Sequence, residues 1–127
     1  MSNSAVYLNH MALINALGYR HDDVLEKLYS GDTSGMQDYY TKLNNKRFTV
    51  GTVALELPLI PESLAKHNTR NNQLALHCLQ QLKTQLDDYL NRYPAHRIGV
   101  VVGTSTSGIA EGEQALSHHL KQSSFPA

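Results

Sequence analysis

Gly103-Thr104-Ser105-Thr106-Ser107-Gly108 packs four hydroxyl groups between two glycines, and Ser105 stands two residues after Gly103. That is how the nucleophile-elbow pattern G-x-S-x-G begins, in which a sharp strand-to-helix turn presents a serine oxygen to an acyl carbon. The pattern breaks at Ser107, where the elbow has a glycine. No Asp, Glu or His beyond Ser105 stands at an evident partner spacing, and His118 and His119 fall on the helix predicted to follow. A phosphate loop needs a Lys after its second glycine, whereas Ile109 follows Gly108. Gly99, Gly103 and Gly108 have the wrong spacing for a dinucleotide fingerprint. On local chemistry the stretch is a bend of small residues whose hydroxyls can cap the next helix. Two other uses stay open at this level. One is an anion site at the opening of the Ile109 helix, within Ser105 to Gly108. The other is a hydrolase built on Ser105, which the break at Ser107 opposes.

The remaining reactive side chains are scattered. Cys78 is the one thiol, placed mid-helix with no cation or helix N-terminus to lower its pKa, so a packed, inert thiol is expected. His77 adjoins it, but adjacent helical residues do not face each other. The seven histidines (10, 21, 67, 77, 96, 118 and 119) show no H-x-x-x-H or Cys/His ligand spacing. The Asn71-Asn72 and Asp87-Asp88 pairs read as solvated helix face. The expectation is therefore no catalytic residue, no metal site and no cofactor site in this chain.

The elements that would position the turn have the order of an α/β protein. Ile98-Gly99-Val100-Val101-Val102 is a continuous apolar run, predicting a strand covered on both faces, followed by the turn and a helix from Ile109 towards Leu120. Ala5 to Ile14 predicts a first strand, closed by a turn at Leu17-Gly18. A short helix is predicted over His21 to Ser30, with Asp22 and Asp23 in its first turn, Lys27 near its end and Gly31 as its stop. Val24, Leu25 and Leu28 are its expected buried side. Gly31 to Arg47 reads as a polar surface excursion with a helical turn around Met36 to Tyr40, and Phe48 to Leu55 as a short edge strand or hairpin arm. Pro58 and Pro61 bar helix in the loop beyond. From Thr69 to Tyr93, Ala75, Leu79, Leu82, Leu86, Leu90 and Tyr93 form one helical stripe, capped by Asn68 or Thr69 and ended by Pro94.

At 127 residues the chain makes one domain or part of one. Eleven basic and eleven acidic residues leave no net charge, and neither sign forms a block, so neither nucleic acid nor an electrostatic partner is indicated. A single Cys admits no internal disulfide and fits a reducing cytosol. The opening residues lack a signal-peptide pattern and no apolar run approaches a membrane span, so a soluble, cytoplasmic chain is expected.

Arg97 to Glu113, with its VVVGTSTSGIAEGE core, resembles the strand-turn-helix of β-ketoacyl-acyl carrier protein synthases, the condensing enzymes of the thiolase fold. Ile14-Asn15-Ala16-Leu17-Gly18 and then His21 to Gly31 resemble that family's opening strand, ALG turn and helix. Arg70-Asn71-Asn72-Gln73-Leu74-Ala75 resembles the start of the long helix before its next strand. The resemblance spans nearly the whole chain, and GTSTSGI is its most specific part.

It implies a partial thiolase-like α/β fold, the N-terminal part of the first βαβ half, with layered helices over a mixed, mainly parallel sheet. It also implies that residues 1–127 are a single N-terminal fragment. In the family the nucleophilic Cys, the assisting His pair (or His and Asn) and the Lys come later, and no residue here matches them. The complete enzyme would use acyl carrier protein and act as a homodimer or heterodimer in fatty acid or polyketide-type biosynthesis. A chain-length-factor relative lacking the Cys, or a small ligand-binding module, are the alternatives. An isolated fragment with bare apolar strands would self-associate, in one form by strand exchange.

Overall fold

The computed structural model describes residues 7–41, 44–104 and 109–124. The helix α1, His21–Ser30, follows the expected bounds. Asp22 and Asp23 lie in its first turn, and Gly31 ends it at φ 67°, a left-handed angle that glycine takes at least cost. Its inner face is narrower than the sequence suggests. Val24 is the one described core residue below a tenth exposed, whereas Leu25 and Leu28 are exposed because no described element packs over them.

Met36–Tyr40 is a strand, β1, and not the expected helical turn. It pairs antiparallel with β2, Arg47–Gly51, from Met36 opposite Gly51 to Tyr40 opposite Arg47. Two adjacent tyrosines favour a pleated surface, and Arg47 reaches Asp38 at 3.0 Å across the ladder. Where residues 31–47 read as polar loop, the cross-strand pairs supply the order. The edge-strand expectation for Phe48 onwards is met by β2.

The long stripe of leucines forms a helix in two parts, α2 (Arg70–Gln81) and α3 (Lys83–Arg92). They meet at Leu82, where ψ rises to 2° and the Leu82 N–H bonds to the Leu79 carbonyl at 3.1 Å, a tightened turn. The stripe continues across this kink because the Leu86 N–H still reaches the Leu82 carbonyl at 2.9 Å. Thr69 caps α2 by accepting from the Asn72 N–H, and Tyr93 turns extended ahead of Pro94. A final helix, α4, spans Ile109–Gln122 as the pattern predicts. Short 3₁₀ turns, Glu62–His67 and Ala95–Arg97, begin immediately after Pro61 and Pro94.

Neither apolar run expected as a core strand has a ladder partner among the described residues. Residues 7–14 form no strand, and they touch the long helix instead: Gln81 donates to the Leu13 carbonyl at 3.3 Å, and the His10 ring lies 5.6 Å from that of Tyr89. Residues 98–102 form no strand either, and Val100 to Val102 are exposed, Val101 to 95%. The sheet of the described residues is therefore the two-stranded antiparallel β1–β2 ribbon, and the mainly parallel sheet is not built by them. An extended segment becomes a strand only when a neighbour takes its backbone groups.

Candidate functional site

Described contacts reach the chain on either side of residues 105–108, at Thr104 and at Glu113. Asn71, in the first turn of α2, accepts from the Thr104 hydroxyl at 3.2 Å. Arg70, beside it, donates to the Val53 carbonyl at 2.8 Å, tying α2 to the chain leaving β2. On the far side of the turn, Glu113 of α4 accepts from the Tyr39 hydroxyl of β1 at 2.6 Å. That bond holds the Tyr39 hydroxyl above its ordinary pKa, because the neighbouring carboxylate favours the protonated donor. Thr104 is thus tied to α2, and Glu113 of α4 to the hairpin.

Ser105 to Gly108, which carry the candidate elbow and the candidate anion site, lie outside the described residues. Cys78 is half-buried on α2, and removal from water pushes its thiol pKa up, away from nucleophilic use. His77 stacks edge-on against Tyr19 at 5.0 Å, and His118 lies on α4, its Nδ1 2.8 Å from the Ser124 carbonyl. The two share no site. Among the described residues no three His, Cys, Asp or Glu side chains gather as metal ligands. No helix of the described residues is long and apolar enough to cross a membrane.

The Asp87-Asp88 pair is solvated as expected, each bonded along the helix surface to Lys83 or Arg92 four residues away. Asn71 and Asn72 are not simply solvated. Asn72 closes the helix opening by donating to the His67 carbonyl at 2.8 Å, while Asn71 reaches Thr104. Sequence reading missed Asn71 and Tyr39 as positioning residues. The clue for Asn71 was present, since a polar side chain in a helix's first turn can bond outward as readily as to water. Nothing local pairs Tyr39 with Glu113, 74 residues on.

A second concavity lies between the Asn15–Gly18 turn and the hairpin, with Lys27, Ser34 and Thr52 on its walls. The turn is closed by reciprocal Asn15 and Gly18 backbone bonds, and the Asn15 side chain accepts from the Leu17 and Gly18 N–H groups. Gly35 packs so tightly on this turn that an added Cβ would overlap the Ala16 carbonyl.

No protein-family model and no curated protein matches the chain. Among solved structures it is similar to a chain of the ketosynthase ApeO in complex with its chain length factor ApeC from Xenorhabdus doucetiae. The two are 41% identical and superpose with a TM-score of 0.73 over 90% of this chain. The chain spans 29% of the length of that neighbour. At that identity and overlap, with helices and a small sheet, the protein has a thiolase-like, ketosynthase-type α/β fold.

Proposed function

We propose that this chain is the N-terminal portion of a 3-oxoacyl-[acyl carrier protein] synthase, supplying scaffold and carrying none of the catalytic side chains. The observation that supports it most is the 41% identity to a chain of the ketosynthase–chain length factor complex over 90% of the present sequence. The 29% of that neighbour it spans supports a part of a condensing enzyme rather than the whole. In the complete enzyme an acyl group would sit on a cysteine as a thioester. Loss of CO₂ from a malonyl-carrier would leave an enolate whose carbon attacks that thioester carbonyl. The new C–C bond forms as the C–S bond breaks and the thiolate returns, with backbone N–H groups holding the oxyanion. Acyl carrier protein would deliver both thioesters. The part played here is positional: α2 holds Thr104, and the hairpin holds Glu113 of α4.

A chain-length-factor relative is the second reading, because the complex of the similar structure contains such a subunit beside the ketosynthase. Both readings require Cys78 to be inert. The test is to incubate the 127-residue chain with a radiolabelled acyl-carrier thioester and then with malonyl-carrier. The expected result is no label on Cys78 and no CO₂ release. Stable acylation of Cys78 with turnover would overturn the scaffold reading.

A further inference from the structure

We draw no further inference here: the strongest candidate, the concavity between the Asn15–Gly18 turn and the β1–β2 hairpin, has its polar walls engaged within the chain, Thr52 on the Gly35 carbonyl and Ser34 on Asp32, and nothing in the structure shows what covers it.

Discussion

At the scale of single residues, two glycines show opposite signs of the same substitution. Gly35 faces the Ala16 carbonyl of the Asn15–Gly18 turn, and a methyl group there meets backbone that cannot rotate aside. Gly35→Ala must push the hairpin from the turn, costing about 1–3 kcal/mol, the usual range for overpacking. Gly112 lies inside α4, exposed, with nothing within 4 Å of a Cβ built on it. There alanine adds helix propensity without contact, so Gly112→Ala should stabilise by about 0.5–1 kcal/mol. Urea midpoints of the two variants, read at unchanged slope, check both signs at once. A neutral Gly35→Ala would show that turn and hairpin are not held against each other. Cys78 belongs to this scale too. Its raised pKa leaves less thiolate at pH 7 than an ordinary cysteine has, so alkylation by iodoacetamide should run slower than for a free thiol and speed up only on unfolding.

At the scale of elements, the Tyr39–Glu113 bond ties the hairpin to α4. The tyrosine pKa is raised, so the neutral hydroxyl is the form the fold favours. Its contribution is complete below the unfolded tyrosine value near 10 and is lost as pH rises through the raised one. Wild type should therefore lose more protection of α4 amides to hydrogen exchange between about pH 9.5 and 11.5 than Tyr39→Phe does, since the variant lacks the titrating donor. Equal losses would dismiss the tie. Asp32 has the opposite sense: its carboxylate accepts from the Ser34 N–H at 2.6 Å, which lowers its pKa, and that help fades as pH falls through the lowered value.

The same elements show what local pattern could carry. The bounds of α1 were readable because Asp22, Asp23 and Gly31 act within one turn of the ends they mark. The stripe from Ala75 to Tyr93 was readable because helical period repeats, and even the Leu82 kink does not disturb it. Met36 to Tyr40 was not readable: its strand exists through partners at Arg47 to Gly51, and a five-residue ribbon has little intrinsic stability to announce itself. The strand expectation at residues 98–102 met the same limit from the other side. Valine-rich composition specifies a preference for extended backbone, and it does not supply a neighbour. Of the candidate site, the turn was found by its hydroxyls, while the bonds beside it, Asn71 to Thr104 and Tyr39 to Glu113, span long sequence separations.

At the scale of the whole molecule, exposure sets the cooperativity of unfolding. An unfolded chain of this mass would expose about 20,400 Å², so the fold removes about 9,900 Å² where a compact domain would remove about 13,700 Å². The urea slope scales with the area newly exposed. At concentrations where the chain is a monomer, that slope should be about 70% of the value typical for 127 residues. The same open surface should bind a hydrophobic dye in the native state, with Val101→Lys lowering the signal because it charges the barest apolar segment. A slope at the compact-domain value with no dye binding would mean that the valine edge is covered within one chain. In that case the open architecture would have to be abandoned, because it depends on Val100 to Val102 being bare.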